Sequence, residues 1–279
     1  MISILEPERI EPDLFRGRSL DLKWGYVFGG QLVAQALAAA GQTVPEDQAA
    51  HSVHGHFLQA GDERKPITYR VERIRDGKSF ATRRVDSIQE GRTVFTLTAS
   101  FQREESGFEH QEPMPQIPGP DGLLSQTQMA RKYMDRMPDV ARDQMSFEHA
   151  IDIRPVDPVD MLHPVAKPPV RSVWYRAFGT LPHCPALHRV LLAFVSDLNL
   201  LTTAMRPHAL TSATPGMQST SLDHAIWFHR SFRMDDWLLC AMDSPTASSA
   251  RGLTHGRFFT RDGRLVASVV QQGLIRLRI

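Results

Sequence analysis

One segment in the second half of the chain leaves little freedom in how it can fold. From Val190 to Leu201 it reads Val-Leu-Leu-Ala-Phe-Val-Ser-Asp-Leu-Asn-Leu-Leu. On a helix of 3.6 residues per turn these apolar side chains fall at nearly every angle, so the helix has no broad solvated face. Pro185 and Pro207 bracket the segment, which predicts a helix over about 187–205. Such a helix must be wrapped, and the alternating segments that follow it can supply an antiparallel sheet as the wrapper.

The first half has the same grammar. Gly30 opens an apolar helix signal over 30–40, and strands are expected at 52–58, 67–74, 79–88 and 92–101. After the second helix, strands are expected at 221–229, 237–244, 251–260 and 265–275. Three short echoes recur in the same order at nearly one spacing: Ser52-Val-His with Ser221-Leu-Asp, Ser79-Phe-Ala with Ser248-Ser-Ala, and Glu90-Gly-Arg-Thr-Val with Asp262-Gly-Arg-Leu-Val. One helix followed by antiparallel strands, given twice, is an α+β duplication.

The two halves are separated by a stretch that holds ten of the 19 prolines, between Pro113 and Pro169. That composition suits a connector draped over a surface, with a short helix expected near 125–137. The division expected is therefore an N-terminal repeat at 1–104, a connector at 105–170 and a C-terminal repeat at 171–279.

Composition excludes several classes. With 42% hydrophobic residues and a formal net charge of +1, the chain is not disordered and carries no overall field for nucleic acid. The two cysteines, Cys184 and Cys240, form no metal-ligand spacing and no disulfide framework. No apolar run reaches the roughly 18 residues of a membrane helix. The acidic opening is not that of a signal peptide and the last residues are not a Ser-Lys-Leu address. The expectation is a soluble cytoplasmic protein.

Three positions carry chemistry out of place. Asp197 lies in the middle of the all-apolar helix, where an unpartnered carboxylate costs several kcal/mol; it suits either a reacting group or a satisfied aspartate tying helix to sheet. Gln271 shares an inward strand face with Leu265, Ala267, Val269 and Ile275, where the first half has Ala99; a core amide serving the backbone is the other reading. Ser221 opens the last strand-rich region, and no Gly-x-Ser-x-Gly elbow occurs, so a serine nucleophile has no support. Asp223 and His224 are strand neighbours that point to opposite faces, which makes His224 structural. His51, His54 and His56 have no matching carboxylate or thiol cluster, and a metal site is not expected. Gly29-Gly30 lacks any nucleotide-loop pattern and suits close backbone approach with free N–H groups at a helix start. Acid, hydroxyl and inward amide occur together only in the second half, so one functional centre per chain is expected.

Taken in order, Leu14-Phe-Arg-Gly-Arg-Ser, Val27-Phe-Gly-Gly-Gln, His51-Ser-Val-His, Asp76-Gly-Lys-Ser-Phe, Ser196-Asp-Leu-Asn-Leu-Leu, Ser221-Leu-Asp-His-Ala-Ile-Trp-Phe-His, Ala247-Ser-Ser-Ala-Arg-Gly and Val270-Gln-Gln-Gly resemble the acyl-CoA thioesterase II (TesB-like) family. The resemblance covers nearly the whole chain. It implies a double hotdog fold, two tandem repeats each of an antiparallel sheet wrapped around a central helix. It also implies hydrolysis of fatty acyl-CoA to fatty acid and coenzyme A without a cofactor. The family's catalytic Asp, Thr or Ser, and Gln carry over onto Asp197, Ser221 and Gln271. By that resemblance Asp197 activates a water as general base, Ser221 and Gln271 hold it, and N–H groups at a helix start, near Gly29-Gly30, meet the oxyanion. Two other readings stay open. A hotdog enoyl-CoA hydratase usually pairs Asp with His on one loop–helix segment, which Ser196-Asp-Leu-Asn-Leu-Leu lacks. A non-catalytic acyl-CoA-binding protein would not need the trio. Sheet edges left by the fold lead to the expectation of a homodimer or larger assembly.

Overall fold

The computed structural model describes residues 1–22, 24–133, 150–161 and 163–278. In chain order the first half runs α1 (Ile2–Leu5), β1 (Glu8–Glu11), β2 (Leu14–Gly17), α2 (Gly29–Gly41), β3 (Gln48–Phe57), β4 (Ile67–Asp76), β5 (Phe80–Gln89) and β6 (Arg92–Arg103). Next come α3 (Gln126–Tyr133), β7 (Ile151–Pro155), β8 (Val170–Ala177), α4 (Pro185–Ser196) and α5 (Leu200–Met205). The chain then continues through β9 (Met217–Ser221), β10 (Asp223–Phe228), β11 (Leu238–Ser248), β12 (Arg251–Thr260) and β13 (Leu265–Leu277).

These elements form two compact units. The first comprises Met1–His110, His183–Asp197 and Asp223–Ser231; the second comprises Gln111–Pro182, Leu198–Leu222 and Phe232–Ile279. These units cut across the repeats seen in the sequence, because α4 and β10 join the first unit.

In the first unit the strands are ordered β1-β2-β4-β5-β6-β3-β10, every pair antiparallel. Across this sheet lies α2, whose Leu32, Val33, Ala36 and Leu37 are buried. Helix α4 packs on α2 so closely that a Cβ built on Gly30 would stand 2.3 Å from the Phe194 carbonyl oxygen. Only glycine allows two backbones to meet at that distance. The β5–β6 hairpin turns at Glu90 and Gly91, both with positive φ (47° and 77°), the conformation a two-residue hairpin demands.

In the second unit the order is β9-β13-β12-β11-β8-β7, again antiparallel throughout. Helix α5 seats on this sheet over two glycines. A Cβ on Gly252 would stand 2.5 Å from Ala204 Cβ, and one on Gly273 would stand 2.6 Å from Leu201 Cδ1. The connector is held to the outside of this unit. Met114, Ile117 and Leu123 pack on a core of Trp174, Leu239 and Phe259. Trp174 Nε1 also donates to the Pro118 carbonyl at 3.0 Å.

Three expectations need correcting. The helix expected over about 187–205 is broken: α4 ends at Ser196, Asp197 caps it, and Asn199 takes the left-handed conformation (φ 69°) before α5 begins. Keeping Asp197 inside one continuous buried helix would strand its carboxylate, and the break gives it partial exposure. The single strand expected at 221–229 is two, with Ser221 closing β9 rather than opening a strand. The stretch 105–170 also contributes a strand, β7, whose Ile151 and Ile153 face the core. The helix expected near 125–137 appears as Gln126–Tyr133; the remainder of that expectation lies outside the described residues.

Candidate active site

Asp197 belongs to the first unit, at the C-terminal end of α4. Within that unit it lies against the first residue of α2: a Cβ built on Gly29 would stand 2.6 Å from Asp197 Oδ2 and 2.9 Å from the Phe57 ring. A helix N-terminus carries unsatisfied N–H groups and a partial positive charge, so it favours the carboxylate there and can meet an oxygen that gains charge. Gly29 and Gly30 leave this end of the helix without side chains.

An aromatic loop precedes the glycines. Trp24 and Phe28 meet edge to face at 5.5 Å, Phe28 meets Phe194 of α4 at 5.1 Å, and Trp24 lies 6.0 Å from Tyr26. Burial raises the pKa of the Tyr26 phenol, and the charges of Asp197 and Glu63 raise it further. The phenol therefore stays protonated beside the carboxylate. Tyr26 escaped the sequence reasoning, although the run Trp24-Gly-Tyr-Val-Phe ahead of paired glycines was its signal.

The residue before Asp197 is anchored separately. Ser196 Oγ donates to the Ala193 carbonyl at 2.9 Å and lies 2.8 Å from His224 Nε2. A hydroxyl has one proton, so the His224 contact must run the other way, with Nε2–H donating to Ser196. His224 on β10 is 1% exposed, and its Nδ1 is buried with no partner. Burial pushes its pKa down to about 3. It is a neutral tether between strand and helix, as the alternating pattern of Asp223–Phe228 implied.

Ser221 and Gln271 belong to the second unit, and the structure brings them together. β9 pairs with β13 so that Ser221 lies opposite Gly273, and Gln271 Nε2 donates to Ser221 Oγ at 2.8 Å. Gln271 is 1% exposed and shares the inward face of β13 with Ala267 and Val269. The Ala99 position of the first half is likewise buried, so the substitution of an amide for a methyl is the departure that marks the second repeat. The Ser221 oxygen accepts from Gln271, and a hydroxyl can donate as well as accept. Asn199, beyond the helix break, donates from Nδ2 to Tyr175 Oη at 2.9 Å, which fixes the chain where α5 starts.

The histidines of β3 do not converge on a metal. His54 and His56 are exposed, and His51 Nε2 pairs with Ser100 Oγ at 2.8 Å. Among the described residues no group of three or more His, Cys, Asp or Glu is placed to hold a metal ion.

Comparison with known proteins extends these observations to the whole chain. A family model described as acyl-CoA thioesterase matches residues 140–274, and one described as acyl-CoA thioesterase N-terminal domain matches residues 20–102. The chain is 38% identical to Acyl-CoA thioesterase 2 of Haemophilus influenzae, over 99% of this chain and 96% of that protein. It is also 38% identical to human Acyl-coenzyme A thioesterase 8, over 99% of this chain and 88% of that protein. Among solved structures, an acyl-CoA thioesterase II TesB2 from Mycobacterium marinum matches with TM-score 0.81 and 40% identity, covering 100% of this chain and 99% of that one. A hot dog fold protein from Alicyclobacillus acidocaldarius matches with TM-score 0.78 at 17% identity, covering 100% and 98%, a likeness of fold.

Proposed function

Since the chain belongs to the acyl-CoA thioesterase II family and is an acyl-CoA thioesterase with the α+β double hotdog fold, we propose that it hydrolyses fatty acyl-CoA with a water activated by Asp197, Ser221 and Gln271. Asp197 takes the proton from the attacking water as general base. Ser221 and Gln271 hold that water at attack distance from the thioester carbonyl, so that little translational freedom is lost in the transition state. The N–H groups at the start of α2, beside Gly29 and Gly30, face the charge that develops on the carbonyl oxygen. No covalent acyl-enzyme is required: water adds to the carbonyl carbon, the C–S bond breaks, and coenzyme A leaves as a thiol.

The observation that carries these roles is the hydrogen bond from Gln271 to Ser221 at 2.8 Å. A buried amide donates to a strand-end hydroxyl across the β9–β13 pair, which supports a shared role for the two side chains. The placement of Asp197 against the N-terminus of α2 supports the same reading. We assign an N-terminal repeat to residues 1–104, a connector to 105–170 and a C-terminal repeat to 171–279, with the trio wholly in the last. The protein acts in the cytoplasm as a homodimer or larger assembly; among the described residues no helix is long and apolar enough to cross a membrane. A strictly monomeric mass in solution overturns the assembly.

The test is thiol release from a series of acyl-CoAs, with Asp197→Asn alongside. Release by the wild-type chain and a loss of about a hundredfold or more in the variant are expected for a general base. Equal rates overturn the role of Asp197. Absence of release by the wild type across the series overturns the substrate class.

A further inference from the structure

Inside the second unit, the segment after β7, helix α5 and the turn at Arg206–His208 line a pocket of about 480 Å³. That is the size of a small-molecule site, about 300–1,000 Å³. Neither Ser221 nor Gln271 lines it. Most of its wall is apolar, including Met129, Met161, Val165 and Leu210.

Set in that apolar wall are three cations, Lys167, Arg171 and Arg206. Their charges are unevenly met. Asp157 accepts from Lys167 Nζ at 2.5 Å and from Arg206 Nη2 at 2.5 Å, so one carboxylate serves two cations. Asp160, also in the wall, accepts from the His163 backbone N–H at 3.0 Å, with the His163 ring 3.7 Å away. Arg171 donates from Nη1 to the neutral Thr202 hydroxyl at 2.7 Å. Arg171 Nε and Arg206 Nη1 are both sealed from solvent with no hydrogen-bond partner. Burial disfavours the charged form of Arg171, and the like charge of Arg206 adds to that. Among the described residues Arg171 is thus a buried cation met by a neutral hydroxyl and by no carboxylate, and an anion in the pocket supplies the missing counter-charge.

We propose that this pocket binds a carboxylate carried on an apolar chain. The carboxylate pairs with the Arg171 guanidinium, and the chain lies along Met161, Val165 and Leu210. A bare inorganic anion leaves the apolar wall wet, and a neutral chain leaves Arg171 without a counter-charge. The site does not depend on the roles given to Asp197, Ser221 and Gln271.

The test uses the full chain and dodecanoic acid bearing a terminal diazirine, photolysed and mapped by peptide mass spectrometry. Labelling within residues 158–167 or 206–212 is expected, with competition by dodecanoate and little by dodecanol or inorganic phosphate. Arg171→Gln is expected to weaken dodecanoate competition about tenfold or more, as loss of a charged hydrogen bond should. Should that variant fail to fold, Val165→Glu replaces a side chain that is 65% exposed and sets a negative charge in the wall, with the same expected weakening. Label confined to other segments overturns the proposal. So does phosphate or dodecanol competing as well as dodecanoate, or wild-type competition in the folded variants. Thiol release by the same preparations reports separately on the hydrolase.

Discussion

Gly29 and Asp197 are close enough that a single methyl group would not fit between them: the missing Cβ would stand 2.6 Å from Asp197 Oδ2. The first residue of α2 thereby dictates where the carboxylate at the end of α4 can sit. Gly29→Ala is expected to keep the fold, since alanine favours a helix and Gly29 does not have positive φ. Its thioesterase kcat is expected to fall about a hundredfold, because a reacting group displaced by an ångström loses that much. Thiol-release kinetics and a thermal melt on the same sample check both halves; an active Gly29→Ala chain separates this contact from catalysis.

The hydrogen bond from Gln271 to Ser221 leads to a graded outcome. Ser221→Thr keeps a hydroxyl within reach of Gln271 and is expected to retain most activity. Ser221→Ala removes it, with kcat expected to fall about a hundredfold. The two variants are to be compared at saturating acyl-CoA. Similar rates would mean that the hydroxyl holds no water.

His224 links stability to pH with a definite sign. In the folded chain its pKa is pushed down to about 3 from the ordinary 6.5, so between those values the unfolded state binds the extra proton. Stability therefore falls as pH drops below about 6.5, by up to about 1.4 kcal/mol per unit from this group, and is fully present above that pH. Urea midpoints from about pH 7 to about pH 5 are expected to fall more steeply for the wild type than for His224→Gln. Parallel slopes would show that other groups carry the acid sensitivity.

Two glycines of α2 are expected to respond in opposite directions. Gly30→Ala drives a methyl to 2.3 Å from the Phe194 carbonyl oxygen, which forces α2 and α4 apart at a cost of about 1–3 kcal/mol. Gly41→Ala meets nothing within 4 Å and is expected to gain about 0.5 kcal/mol through lower chain entropy in the unfolded state. Chemical denaturation of both variants measures the contrast.

Much of this protein was legible in its residues because the signals were local. The two helices and the strands from Gln48 to Arg103 and from Leu238 to Leu277 follow from period, proline and turn glycines. Gln271 stood out because a period-two face that is otherwise apolar cannot hide an amide. Tertiary structure decided what depends on partners distant in the chain. The break at Asp197 was invisible to periodicity, since the apolar pattern runs straight through it; only the cost of burying the carboxylate ends the helix there. The tautomer of His224 follows from Ser196 having already given its proton to Ala193. The Arg171 guanidinium looks like an ordinary surface charge in the sequence. It acquires meaning once folding buries it and commits Asp157 to Lys167 and Arg206, because a charge is costly only in the company the fold gives it.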